Sequence, residues 1–275
     1  MPSVLVSGAS RGIGLAITRH MSARGWQVYA GARSDSALGE LAAIPNVHPT
    51  RLEITDRDSV AALADALPAK LDGVVNNAGI VVNGPVEGLT LDDLTRQLDV
   101  NVVAQIAVTQ AVLPKIRAAK GRIVFISSFS GLITTPGTGA YCASKYALEA
   151  LGDALRMELR PWGIGVSLVE PGPIRTDIWG DILVDHDRMV DKLAAGHRVL
   201  YARQLNGTRK LLGRVQKMAA DPEKVVKAVD HALTARRPKS RYLLDSVSRV
   251  QKIVMDLTPT AVNDAALAAM TTAKR

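Results

Sequence analysis

Short, almost wholly apolar runs alternate along the chain with longer stretches whose apolar positions recur every three or four residues. VLVSG (4–8) opens the series as a strand buried on both faces. A helical pattern follows from about Ile13 to Ala23, then a second run, QVYAGAR (27–33), and a weaker third, VHPTRLEI (47–54). Asp56 stands where an N-cap belongs, ahead of a helix reaching about Leu67. GVVNNAG (73–79), GRIVFISS (121–128), GVSLVEPG (165–172) and the short RYLL (241–244) complete seven strands. Between them, helical patterns span Asp92 to Ala119 and Gly139 to Leu159, and Pro114 predicts a kink or an end in the first of these.

Strands apolar on both faces and separated by helices must be covered on both sides. The pattern therefore predicts an α/β fold: a single doubly wound domain of Rossmann type, with a mainly parallel seven-stranded sheet and helices on both faces. In such sheets ligands bind beyond the carboxyl ends of the strands. The domain would occupy residues 1–245 and a helical extension residues 246–275. Residues 173–220 break the alternation, as a substrate-binding insertion does.

Composition narrows the class. The chain has 275 residues, 47% hydrophobic and 22% charged, enough for one sizeable core. Its one cysteine, Cys142, excludes a disulfide within the chain and fits a reducing compartment; next to Tyr141 on a helix, it faces another way and reads as a packed thiol. MPSVLVSGAS lacks the basic and apolar regions of a signal peptide, and no apolar run is long enough to span a bilayer, so a soluble cytoplasmic protein is expected. The net charge of +8 suits an anionic ligand, but no zinc-finger spacing or RNA-binding aromatic signature accompanies it, so nucleic acid is not an expected partner. Histidines at 20, 48, 186, 197 and 231 have no metal-ligand spacing, and no metal is assigned. From His197 to Lys217 six cations and no acid are interleaved with leucines. This stretch reads as a solvated face over an apolar underside, with peripheral contact to an anionic membrane, or to an anionic substrate or carrier, as the alternative.

The first strand runs straight into SGASRGIG (7–14), in which Gly8, Gly12 and Gly14 have the spacing G-x-x-x-G-x-G. Glycines there permit a tight turn and close approach of backbone to a pyrophosphate, at which the following helix aims free N–H groups. An NAD site usually ends the second strand with an acid for the ribose hydroxyls. Here the strand ends in Ala32 and Arg33, and Asp35 is the nearby acid. Arg33 and Arg11 are suited to a 2′-phosphate, so NADP(H) is preferred and NAD is the alternative. Tyr141 and Lys145, in YCASK, share a helix face one turn apart. A phenol titrates near 10 in water, and an adjacent ammonium favours its phenolate, which predicts a Tyr141 pKa drawn toward working pH. Such a pair can exchange a proton with an oxygen that gains or loses charge during hydride transfer.

SGASRGIG, NNAG (76–79), Asn101, the ISS ending at Ser128, YCASK and PGPIRT (171–176) occur in the order of the short-chain dehydrogenase/reductase family, which residues 3–177 closely resemble. Ser128 lies 13 residues before Tyr141, a familiar interval in that family. The resemblance implies an NADP(H)-dependent oxidoreductase that interconverts an alcohol and its ketone or aldehyde. In it, Tyr141 is the general acid or base, Lys145 lowers the Tyr141 pKa and contacts the nicotinamide ribose, Ser128 binds the substrate oxygen, and Asn101 holds a water of a proton relay. It further implies a cofactor site built from Gly8, Ser10, Arg11, Gly12, Ile13, Gly14, Arg33, Glu53, Ile54, Asn77, Ala78, Gly79, Tyr141, Lys145, Pro171, Gly172, Ile174 and Thr176. Glu53 departs from the family's usual Asp. A homodimer or homotetramer is implied as well. The apolar loop with Ile174, Ile178 and Trp179 suggests a lipophilic substrate, steroid-, retinoid- or fatty-carbonyl-like. A catalytically idle dinucleotide sensor on the same fold is the competing reading, and the four residues Asn101, Ser128, Tyr141 and Lys145 count against it.

Overall fold

The computed structural model describes residues 1–175 and 182–271. Seven strands form one sheet in the order β3-β2-β1-β4-β5-β6-β7: β1 Ser3–Val6, β2 Gln27–Ala32, β3 Val47–Arg51, β4 Gly73–Asn76, β5 Arg122–Ile126, β6 Gly165–Glu170 and β7 Arg241–Leu243. Every pairing is parallel. The order reverses between β1 and β4, which opens a crevice at their carboxyl ends.

The period-2 alternation of β1 assigns its residues to two apolar layers. Val4 and Val6 pack with α1 (Gly12–Ala23) and with the helix Glu223–Thr234, whereas Leu5 packs with helices on the other face. The strands are shorter than the apolar runs that predicted them. GVVNNAG, for example, is strand only to Asn76, and Asn77–Gly79 turn away at the crevice. A further short helix, α2 (Asp35–Ala42), follows β2, and Asp56 caps α3 (Arg57–Ala61) by accepting from the N–H groups of Asp58 and Ser59. The helix predicted to reach Leu67 divides into α3 and α4 (Leu63–Ala66).

The helix predicted over 92–119 breaks, but not at Pro114. It comprises α5 (Leu91–Leu98), a π-helical turn at Asp99–Val103 and α6 (Ala104–Ala119), which runs through Pro114. The carbonyl orphaned by Pro114 belongs to Gln110, an exposed residue on the solvent side of the helix. Beyond it, α7 spans Gly139–Glu158. The insertion after β6 is helical where it is described: α8 Ile182–Lys192, α9 Ala195–Leu200 and α10 Ala202–Met218, tied to the domain by a parallel bridge between Ile174 and Ala220. The helix α11 is Glu223–Thr234, and the C-terminal segment forms α12 (Ser246–Leu257) and α13 (Thr260–Thr271), which packs on α10. Among the described residues no helix is long and apolar enough to cross a membrane.

Candidate active site

The glycine turn is forced by backbone angles at Gly8 and Gly12 and by close contacts at Gly8 and Gly14. Gly8 and Gly12 have φ of +65° and +55°, where side chains are strained. A Cβ on Gly14 would lie 2.2 Å from the Gly8 carbonyl oxygen and 2.6 Å from Asn77 Nδ2. Asn77 Nδ2 donates to the Ser7 and Gly8 carbonyls, both at 3.0 Å, while Ser7 Oγ accepts from Asn77 N–H at 3.0 Å and Ala78 N–H at 3.2 Å. These bonds lock the NNAG turn onto the glycine turn. Arg11, at the N-cap of α1, makes no side-chain cap, so the first N–H groups of α1 keep their capacity for an anion. With Arg11 exposed beside them, this donor set fits the phosphates of a dinucleotide.

At the end of β2, Arg33 is 76% exposed and its Nη1 lies 3.3 Å from Glu53 Oε2. Glu53 Oε1 accepts from Thr55 N–H at 3.2 Å and Thr55 Oγ1 at 2.9 Å. Burial pushes the Glu53 carboxyl up, but the Thr55 bonds and Arg33 outweigh it and hold the group below its ordinary value. Asp35, the candidate acid for a ribose, is paired instead with Arg51, whose Nη1 also donates to the Arg33 carbonyl at 2.9 Å. Sequence reasoning missed Arg51. Only the parallel register, which sets Ala32 opposite Arg51, brings it beside Arg33. The Ile54 side chain is packed in the core.

Ser128, Tyr141 and Lys145 converge at the end of β5. Ser128 opens a 3-10 turn (Phe129–Gly131), its Oγ accepting from Ser130 N–H at 3.1 Å, and it neighbours the Tyr141 phenol closely enough to favour the phenolate. Lys145 Nζ donates to the Ile126 carbonyl at 2.8 Å and lies 5.8 Å from the centre of the Tyr141 ring. The expected lowering of the phenol pKa is not what the protein alone displays. Burial pushes Tyr141 up to about 12 against the pull of Ser128, and pushes Lys145 down to about 8 against the attraction of Glu149. Lys145 is buried and Tyr141 half-buried, so desolvation dominates both groups.

Asn101 sits fully buried on the π-helical turn. Its Nδ2 donates to the Ile80 carbonyl at 2.9 Å and to Ser144 Oγ at 3.2 Å, and its Oδ1 accepts from Ile80 N–H at 2.9 Å. The side chain is thus occupied in holding the segment after NNAG. It belongs to a ladder that sequence reasoning did not identify. Thr109 Oγ1 accepts from Asn76 Nδ2, Gln105 Nε2 donates to the Ala78 carbonyl, Asn101 clasps Ile80, and Gln97 Oε1 accepts from Val82 N–H at 2.6 Å. Four helical residues rise about 6 Å and two extended residues about 6.6 Å, so a polar residue every fourth position of a helix meets every second residue of an extended chain. Polar residues at 97, 101, 105 and 109, all buried, were the available signal.

Of the remaining candidates, Ser10, Ile13, Gly12 and Gly79 lie about the glycine turn, and Pro171 accepts from Phe129 N–H at 2.9 Å through its carbonyl. Gly172 is adjacent, and Ile174 is buried. Thr176, Ile178 and Trp179 lie outside the described residues. Cys142 is buried with Sγ 3.3 Å from Thr138 Oγ1, a packed thiol. In the basic segment, Arg209 forms a two-bond pair with Asp187 on α8 and Leu205 is buried, which agrees with a solvated face over an apolar underside. The described residues contain no cluster of potential metal ligands.

Comparison with known proteins places these features in context. A family profile described as short chain dehydrogenase matches residues 2–186. The chain is 34% identical to retinol dehydrogenase 5 of Mus musculus, the alignment covering 96% of this chain and 87% of that protein. It is 32% identical to an NADPH-dependent 3-dehydrocapnine reductase of Ornithobacterium rhinotracheale, with 96% and 95% covered. Among solved structures, a short-chain dehydrogenase from Streptomyces avermitilis superposes with a TM-score of 0.77 at 29% identity, covering 95% of this chain and 93% of that one. A short-chain dehydrogenase from Burkholderia cenocepacia J2315 in complex with NADP shares the fold, at a TM-score of 0.76 and 21% identity.

Proposed function

The chain belongs to the short-chain dehydrogenase/reductase family and is an oxidoreductase of the NAD(P)-dependent kind acting on CH–OH donors; from that premise we propose that it reduces the carbonyl of a lipophilic ketone or aldehyde with NADPH, and oxidises the matching alcohol in reverse. The observation that carries this reading is Lys145 Nζ 5.8 Å from the centre of the Tyr141 ring, one helical turn behind it, with Ser128 neighbouring the phenol.

When bound, the nicotinamide cofactor supplies or accepts the hydride, and its oxidised ring adds a positive charge to the site. The chain's own residues manage the oxygen. Ser128 and Tyr141 receive the substrate oxygen between two hydroxyls. As charge grows on that oxygen during reduction, Tyr141 gives it the phenolic proton, and Lys145 stabilises the phenolate left behind. A phenol held near 12 is a ready proton holder before turnover, which suits the reductive direction. Oxidation needs the phenolate, and therefore both the ammonium and the cofactor's added charge. Asn101 positions the loop that borders the substrate, and the glycine turn, Arg11 and Arg33 hold the dinucleotide, with Arg33 directed at a 2′-phosphate. Asp35, engaged by Arg51, is not available to a ribose diol, which supports NADPH over NADH. The apolar residues Ile174, Ile178 and Trp179 in the sequence after β6 support a lipophilic substrate.

The test is a fluorescence titration of wild type and Tyr141→Phe with NADPH, followed by turnover on a panel of lipophilic ketones and aldehydes. Equal NADPH binding, with turnover lost at least about 1,000-fold in the variant, is the expected result. Tight NADPH binding with no wild-type turnover on any carbonyl or alcohol would replace this reading with that of a dinucleotide sensor.

A further inference from the structure

Behind Lys145, away from the substrate, lies a group of buried charges that the proposed reaction does not use. Glu149 stands one helical turn beyond Lys145 on α7, 6% exposed, and Glu170 ends β6 just before Pro171, 1% exposed. Arg241, at the start of β7, places Nε 3.1 Å from Glu149 Oε2 and 3.3 Å from Glu170 Oε1, and Nη2 2.7 Å from Asp153 Oδ2. Asp153 takes a second cation, Arg156, at 2.9 Å. Two guanidinium groups therefore face three carboxyl groups. Glu149 Oε1 and Glu170 Oε1 are buried without a hydrogen-bond partner, and so is Ser127 Oγ, which faces Glu149 from the residue before Ser128.

Two carboxylates on one arginine repel, and keeping both ionised while buried is costly. A single proton divided between Glu149 and Glu170 relieves that repulsion and gives an orphaned oxygen a donor. Burial raises the pKa of both groups, Glu170 to about 8. Glu170 and Arg241 line a cleft of about 590 Å³ with Lys239, Arg249 and Lys252, whereas Glu149 lies beneath it. Arg249 donates to the Leu243 carbonyl and Lys252 pairs with Asp256, so neither cation is in direct contact with the glutamates.

We propose that Glu149 and Glu170 hold one proton between them under the Arg241 clamp, and that the remaining negative charge makes Glu149 a positioning residue for the Lys145 ammonium. The pair thereby sets the pH range over which Lys145 can support the Tyr141 phenolate. The link to Tyr141 rests on the proposed reductase reading; the proton sharing and its hold on Lys145 do not.

The test follows the Lys145 ammonium by nitrogen NMR of lysine-labelled protein against pH, assigned with Lys145→Arg, in wild type, Glu149→Gln and Glu170→Gln. A half charge about 6 Å away, in an effective dielectric of about 20, moves a neighbouring titration by about one pH unit. Glu149→Gln removes that charge but leaves Glu170 fully ionised farther from the ammonium, so Lys145 then titrates lower by up to about one unit. Glu170→Gln leaves Glu149 alone with Arg241 and fully ionised, and Lys145 then titrates higher by a similar amount. A merely structural pair would not produce shifts of opposite sign. Infrared spectra at neutral pH should include a protonated-carboxyl C=O band in wild type that weakens in both variants. Shifts of the same sign, no shift in either variant, or no such band would overturn the proposal. If wild type reduces no carbonyl, the functional reading fails while the Lys145 titration still decides this one. If it does, the alkaline limb of kcat/KM is expected to move with Lys145 in each variant, and an unmoved limb would sink the link to Tyr141.

Discussion

Replacing Arg33 with alanine tests coenzyme choice most directly. The guanidinium is 76% exposed, and its one recorded partner is Glu53 at 3.3 Å. A hydrogen bond to a charged group contributes about 1.5–3 kcal/mol. Solvent exposure places Arg33 in the lower part of that range, and Arg11 remains as a second cation on the glycine turn. A loss of about 1.4–2 kcal/mol corresponds to NADPH binding about 10- to 30-fold weaker. NADH lacks the 2′-phosphate and should change by less than about twofold. The loss also has a salt signature. Wild-type NADPH affinity should fall more steeply with ionic strength than that of Arg33→Ala, because an exposed ion pair is screened. The assay is a fluorescence titration with each reduced coenzyme at two salt concentrations. NADPH affinity within threefold of wild type, or an equal loss for NADH, would refute the assignment of Arg33 to a phosphate.

Three further outcomes follow from the geometry. Gly14→Ala places a methyl group 2.2 Å from the Gly8 carbonyl, so the turn must open; loss of measurable binding of both coenzymes, with at least about 2 kcal/mol of destabilisation in denaturant melts, is expected. Gln97→Leu leaves the Val82 N–H without its 2.6 Å acceptor, which should cost about 1–3 kcal/mol in the same assay and lower turnover more than coenzyme affinity. Glu170 retains in the folded state a proton that the unfolded chain releases above its ordinary value of 4.5, so the folded state binds more protons between 4.5 and about 8. Stability should therefore fall as pH rises through that window, and Glu170→Gln should flatten the profile when thermal melts are recorded across it.

The glycine turn, YCASK and the serine 13 residues before it were legible in the sequence because each needs residue types at fixed local spacings that a turn or a helix face imposes. The break near Asn101 was not legible. Proline is a local signal for a broken helix, but whether its missing bond matters depends on solvent at Gln110, and the π-helical turn arises from pairing with the segment 76–82. The desolvation of Tyr141 was not legible either: an ammonium four residues away is visible in the sequence, but the packing that pushes the phenol up in the protein alone is not.

What the chain determines by itself is therefore the order of strands and helices, the backbone positions that only glycine can occupy, and the identity of the groups that handle a proton and a phosphate. These rest on interactions within about one helical turn or one tight loop. Tertiary structure decided the rest. The β2–β3 register put Arg51 on Asp35, the helix-to-strand match made a buried ladder of Gln97, Asn101, Gln105 and Thr109, and the β6–β7 edge gathered Glu149, Glu170 and Arg241 behind Lys145. Partners in each of these sets lie 15 or more residues apart, so their meeting depends on strand pairing and helix packing, and their energies on the water excluded when the layers close.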